Sequence, residues 1–83
     1  MIRLTLYGTC GCHLCEEAEA LLDEALRNFD SPPELQRKDI ADDPKLTERY
    51  GIRIPVLTET STRAELGWPF DAEALRVFLR QFL

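Results

Sequence analysis

Residues 4–15 read Leu4-Thr5-Leu6-Tyr7-Gly8-Thr9-Cys10-Gly11-Cys12-His13-Leu14-Cys15. The stretch opens as a strand. Ile2, Leu4 and Leu6 alternate with Arg3, Thr5 and Tyr7, and a period of two puts the apolar side chains on one face of a sheet. Gly8 and Gly11 then break the pattern and bracket a loop. Over residues 14–29 the apolar positions are Leu14, Ala18, Leu21, Leu22, Ala25, Leu26 and Phe29. Steps of mostly three and four make one buried helical face. Glu16, Glu17, Glu19, Asp23, Glu24 and Arg27 occupy the other face, which reads as a solvated surface. A cysteine cluster therefore falls between a strand and a helix.

Working outward, Asn28, Asp30, Ser31, Pro32 and Pro33 end the helix in a loop. Residues 34–40 read as a second strand, polar enough for a sheet edge. Asp43-Pro44 starts a short helix over residues 44–50, with an acidic N-cap and proline at the first position, and Gly51 suits its C-terminal cap. Residues 52–58 are apolar and β-branched but carry Pro55, which marks a strand start, an edge or a bulge. Thr60-Ser61 suits a turn, residues 62–66 a short returning strand, and Gly67, Trp68 and Pro69 a connection. Asp71 caps a last helix with Ala74, Leu75, Phe78, Leu79 and Phe82 on its apolar face. The order is β-α-β-α-β-β-α. The helical crossover makes the first two strands parallel with a right-handed connection, and the short turn makes the last two antiparallel. The expected fold class is α/β, a mixed four-stranded sheet with helices on its faces, formed by residues 1–83 as a single domain.

Composition narrows the function. A hydrophobic share of 45% with 30% charged residues suits a globular domain and is too apolar for a disordered chain. The formal net charge of −5 argues against nucleic acid and anionic membranes as partners, because phosphate binding needs clustered cations. The apolar runs are too short for a membrane-spanning helix. Residues 1–8 lead straight into a strand-like pattern with no signal-peptide layout. The expectation is a soluble, cytoplasmic, monomeric protein.

The three cysteines, Cys10, Cys12 and Cys15, lie within residues 10–15, so no disulfide staples distant parts of the chain. An odd, clustered set is the wrong pattern for a secreted disulfide scaffold and reads as a redox or metal site. Cys12-His13-Leu14-Cys15 is a C-x-x-C at a strand exit and a helix start, the thioredoxin-like redox arrangement.

Residues 4–15 resemble the strand, loop and active-site motif of the glutaredoxin family. Tyr50-Gly51-Ile52-Arg53-Ile54-Pro55-Val56-Leu57 resembles the stretch where thioredoxins and glutaredoxins carry a cis-proline opposite the C-x-x-C, and residues 67–71 look like a degraded Gly-Gly-x-x-Asp segment. The resemblance covers almost the whole chain and implies a thioredoxin-like fold. The closest match is the group of short glutaredoxin-like proteins. The departures are specific. Thr9 stands where those proteins commonly have Lys, Cys10 where they have Pro, His13-Leu14 in place of Pro-Tyr, and Trp68 where a second Gly is expected. In the family, the Lys and the Gly-Gly-Asp region help bind glutathione carboxylates, so the fold carries over and glutathione binding does not.

Thiol–disulfide exchange needs an accessible thiolate and a second thiol placed to resolve the mixed disulfide. Cys12 at the helix N-terminus is favoured as an anion by free N–H groups and the dipole, and Cys15 lies one turn on. Cys12 is therefore assigned as nucleophile and Cys15 as resolving thiol. Protonated His13 would favour the thiolate further, whereas Glu16, Glu17 and Glu19 oppose it from a screened distance. The helix terminus is expected to win and hold the Cys12 thiol below its free value. His13 reads equally as an exposed loop residue without a role. Cys10 has three readings: a bystander, a partner in a labile alternative disulfide, or a metal ligand. Proline at Pro55 has a plain reading as a strand-start residue. The resemblance implies a cis bond there that presents the backbone of Ile54 to an extended substrate. Arg53 reads as an anion contact or a solvated arginine, and Trp68 as packing or a ligand platform. The candidate substrate-binding residues are thus His13, Arg53, Ile54, Pro55 and Trp68.

The resulting expectation is a glutaredoxin-like disulfide oxidoreductase of redox homeostasis and electron transport. It needs no bound cofactor, takes a disulfide-containing protein or glutathione mixed disulfide as partner, and has glutathione as a possible electron donor. Two alternatives stand beside it. One is a zinc or Fe–S protein using Cys10, Cys12, His13 and Cys15. The other is a non-catalytic thioredoxin-fold binding module.

Overall fold

In the computed structural model, which describes residues 2–27 and 29–82, the first alternating stretch is β1 (Arg3–Gly8) and the amphipathic stretch is α1 (His13–Leu26). There follow β2 (Glu34–Asp39), a 3-10 turn (Ile40–Asp42), α2 (Pro44–Tyr50), β3 (Val56–Glu59), β4 (Glu65–Gly67) and α3 (Ala72–Arg80). The sheet order is β2-β1-β3-β4. β1 runs parallel to β2, with Arg3 opposite Glu34, and antiparallel to β3, with Tyr7 opposite Val56. β3 and β4 are antiparallel, with Val56 opposite Gly67. This is the expected mixed α/β sheet, and β2 is an edge as its polar sequence implies. The readings of Met1 in the strand-like segment and of Asn28 in the helix-ending loop fall outside the described residues.

Period-two alternation gives the sheet two buried faces. Leu4, Leu6 and Leu57 meet Ala18 and Leu22 of α1 and Leu75, Phe78 and Leu79 of α3. On the other face Val56 meets Ile40 and Tyr50, with Tyr7, Leu46 and Ile54 around them. Burying each leucine removes apolar area worth about 1.5–3 kcal/mol.

The helix starts are locally encoded. Asp43 accepts the Lys45 and Leu46 N–H groups at 2.9 and 3.4 Å with Pro44 at the first helical position, and Asp71 accepts the Ala74 N–H at 2.8 Å. Gly51 caps α2 with right-handed φ, so its need for glycine is spatial: a Cβ there would collide with the Thr47 carbonyl oxygen.

Some boundaries shift from the sequence expectation. α1 stops at Leu26, three residues early, yet Phe29 still packs against the first cluster from outside the helix, which is why it keeps the apolar spacing. β3 starts at Val56 instead of residue 52. The Arg53 and Ile54 N–H groups both donate to the Tyr50 carbonyl, at 2.7 and 3.0 Å, so residues 51–54 form a turn in which Ile52 is fully exposed. β4 starts at Glu65 because the connection uses residues 60–64: the Arg63 N–H donates to the Glu59 carbonyl at 2.8 Å, and Arg63 has φ of 62°. No helix among the described residues is long and apolar enough to cross a membrane.

Candidate redox site

The site grows from the end of β1. Gly11 turns the loop with φ of 81°, a left-handed conformation that glycine adopts without a steric penalty. The Cys12 N–H donates to the Thr9 carbonyl at 3.3 Å, and the Glu16 N–H donates to the Cys12 carbonyl at 3.2 Å. Cys12 is thereby the N-cap of α1, with extended backbone, and its Sγ accepts the Cys15 N–H at 3.2 Å. A sulfur here takes the place of the usual capping oxygen, among unpaired N–H groups that favour negative charge.

Cys12 and Cys15 are disulfide-bonded, with Cα atoms 5.2 Å apart. Cys15 is buried and Cys12 half-buried, so the two sulfurs differ in access. Gly8 is what admits Cys15: a Cβ on Gly8 would lie 2.8 Å from Cys15 Sγ and 3.2 Å from its Cβ. The β1–β3 pairing ends with Tyr7 opposite Val56, the residue after Pro55. Pro55 is buried, its bond from Ile54 is cis, and its carbonyl accepts the Trp68 N–H at 3.1 Å. Gly8 thus seats Cys15 at the end of β1, and Pro55 ties the start of β3 to the Trp68 backbone.

The remaining candidates sit differently. His13 is highly exposed and pairs with Glu16, Nδ1 to Oε2 at 3.5 Å. Trp68 is half-buried, meets Phe70 edge-on at 5.1 Å and packs on the first core cluster, so its side chain serves the core. The Trp68–Pro69 bond is also cis, which the sequence reading did not anticipate. The Ile54 N–H is engaged by the Tyr50 carbonyl, so this backbone donor already has an acceptor. Arg53 hydrogen-bonds Glu65 and lies 5.4 Å from the Tyr50 ring centroid. Cys10 is an exposed free thiol. Among the described residues no three His, Cys, Asp or Glu side chains gather in a metal-holding group.

Sequence reasoning missed Gly8 as the seat of Cys15 and Glu65 as the partner of Arg53. A glycine directly after a strand was the signal for the first. Glu65 carries no local signal. The Arg53 hydrogen bond holds its carboxyl below the usual range despite burial, with the Tyr50 hydroxyl, donating at 3.2 Å, acting the same way. Burial and the Glu65 charge raise Tyr50 in turn.

The family model described as Glutaredoxin-like domain matches residues 3–80. A crystal structure of a structural genomics target protein from X. campestris is similar with TM-score 0.81 and 40% identity, over 96% of this chain and 99% of that one. A solution structure of a protein from Nitrosomonas europaea is similar with TM-score 0.76 and 33% identity, over 93% of this chain and 89% of that one. A mutant thioredoxin from Halobacterium salinarum shares the fold, with TM-score 0.73 at 19% identity over 98% of this chain and 74% of that one. Curated proteins give no match. A thioredoxin-like sheet, a cysteine pair in the first turn of α1, and a family match along nearly the whole length agree: the chain belongs to the glutaredoxin-like family.

Proposed function

We propose that the protein is a thiol–disulfide oxidoreductase in which Cys12 is the nucleophile and Cys15 the resolving thiol. The observation that carries this reading is the pairing of a half-buried N-cap cysteine with a buried one three residues on, at disulfide geometry. From the reduced state, the Cys12 thiolate attacks one sulfur of a substrate disulfide. A Cys12–substrate bond forms and the first substrate thiolate leaves, taking a proton from solvent. The Cys15 thiolate then attacks the Cys12 sulfur, closes the Cys12–Cys15 bond and releases the second thiolate. The substrate gains two electrons and the protein dithiol loses two. An external thiol reductant, glutathione or a dithiol, returns the pair to its reduced form. The substrate class is a disulfide-containing protein or a glutathione mixed disulfide, met in the cytoplasm by a monomer. His13, Arg53, Ile54, Pro55 and Trp68 line its approach. The exposure of His13 and the core packing of Trp68 support smaller parts for those two.

The test is a redox titration in glutathione buffers, read by trapping free thiols and weighing the intact protein. A single step of two thiols that Cys12→Ser abolishes is the expected result. A midpoint near about −270 mV marks a thioredoxin-like reductant, and one near about −120 mV an oxidant. The absence of a cooperative two-thiol step refutes the reading. Thr9 and Trp68, in place of the family's lysine and glycine, support independence from glutathione as a bound ligand. Tight, saturable glutathione binding by calorimetry would refute that part alone.

A further inference from the structure

On the α2 side of the sheet, Tyr50 and Leu46 pack with Val56 and Tyr7. Beyond them lie two adjoining hollows, of about 260 and 210 Å³, which share Thr5, Tyr7 and Thr60. The carboxylates that line them are already engaged. Glu34 pairs with Arg3 at 3.5 Å, Glu59 accepts from Ser61 and Thr62, and Glu65 accepts from Arg53 and Tyr50 with Arg49 at 3.7 Å. Two cations are not engaged. Arg63 in the larger hollow and Lys38 in the smaller are exposed, and neither side chain has an ion-pair partner among the described residues. The hydroxyls of Thr5, Tyr7 and Thr60 likewise have no hydrogen-bond partner among the described residues. Arg63 also holds a left-handed backbone, with φ of 62°, which costs a residue with a Cβ more than it costs glycine. No contact of its side chain among the described residues offsets that cost.

We propose that the two hollows form a binding site for a small oxyanion, the phosphate of a phosphate ester or the carboxylates of a dicarboxylic acid. Arg63 supplies charge-assisted hydrogen bonds, the Thr5, Tyr7 and Thr60 hydroxyls complete the donor set, and Lys38 adds a second positive charge from the adjoining hollow. An oxyanion offers only acceptors, which is what this set of donors lacks. The volume lies at the lower end of the range for ligand pockets, so the ligand is small. Neither Cys12 nor Cys15 lines either hollow. The site therefore stands apart from the exchange reading, and either can fail alone.

The experiment titrates inorganic phosphate and malonate separately into isotopically labelled protein, at fixed pH and at an ionic strength held constant with chloride, and follows the amide chemical shifts. Saturable shifts at Thr5, Tyr7, Thr60 and Arg63 with a millimolar dissociation constant are expected for at least one probe, with the Cys12 and Cys15 amides unmoved. The better-bound probe assigns the ligand chemistry as phosphate or carboxylate. Arg63→Gly should weaken binding about tenfold, the loss of one charge-assisted hydrogen bond. It should not lower the thermal midpoint, because glycine suits the left-handed backbone. Arg63→Gln keeps the Cβ and should show the same loss, and it decides the matter if the glycine variant does not fold. Lys38→Gln should weaken binding about twofold to threefold, the scale of one exposed charge, and leave the same amides shifting. Shifts that rise without saturating for both probes overturn the proposal. So does a merely structural Arg63, whose replacement would lower the thermal midpoint and leave binding unchanged.

Discussion

A Cβ on Gly8 would stand 2.8 Å from the Cys15 sulfur, closer than real Cβ contacts come. The neighbour is a buried sulfur, not the loose end of a long side chain, so it has little room to retreat. Gly8→Ala should therefore destabilise the protein by about 1–3 kcal/mol through overpacking, read as a lower urea midpoint. The cause is checked by a double-mutant cycle. In a Cys15→Ala background most of that cost should vanish, because the colliding sulfur is gone. Equal costs in both backgrounds would place the effect in the β1 backbone instead. The same contact explains why a glycine closes β1, and no linear pattern reveals it, since the partner lies seven residues on, across a loop and a helix start.

At the scale of elements, the β3–β4 connection is organised by Glu59, a buried carboxylate at a strand end. Its two oxygens accept the Ser61 and Thr62 N–H groups at 3.1 and 2.9 Å and both hydroxyls at 3.0 Å. The backbone N–H bonds, with the hydroxyls beside them, pull its pKa down to about 2. A carboxylate with a depressed folded value contributes stability that is complete above its unfolded value, roughly 4.3, and is lost as pH falls through about 2. The urea midpoint of the wild-type protein should fall across that window. Glu59→Gln should be less stable at neutral pH and show a shallower fall, and parallel curves for the two proteins would refute the assignment. Legibility in the sequence divides along the same line. β1, α1 and the Asp43 and Asp71 caps follow from neighbours within four residues, so periodicity and capping chemistry reveal them. The α1 end, the start of β3 and the reach of the connecting turn depend on contacts between elements: Phe29 on the core, the Tyr50 carbonyl taking two donors, Glu59 folding residues 61 and 62 onto itself. In the candidate site, the cysteine pair and Pro55 were legible as motifs. The pairing of Arg53 with Glu65 was not, because it joins a turn to a strand that only the sheet brings together.

The whole molecule is held by two apolar clusters on opposite faces of one sheet, and the Cys12–Cys15 bridge joins neither to the other. It links residues three apart in sequence within a single helical turn. Chain-entropy estimates for a loop that short give about 2 kcal/mol, comparable to burying a single leucine side chain. The layered core, with Leu22 and Leu75 fully buried on one face and Val56 on the other, does not depend on the bridge. Reduction should therefore leave the fold intact. Near-UV circular dichroism of the reduced protein should keep its aromatic signal, since the Tyr7–Tyr50 stack and the Trp68–Phe70 and Phe78–Phe82 contacts lie in the clusters. The oxidised and reduced forms should differ in unfolding free energy by no more than about 2 kcal/mol. Leu22→Ala, by contrast, removes a fully buried side chain between α1 and the sheet and should cost about 2–5 kcal/mol in either redox state. A reduced protein that unfolds, or that loses more stability than Leu22→Ala does, would make the cysteine pair a structural brace. A small difference leaves the pair able to cycle between two folded states, which is what the proposed exchange at Cys12 requires.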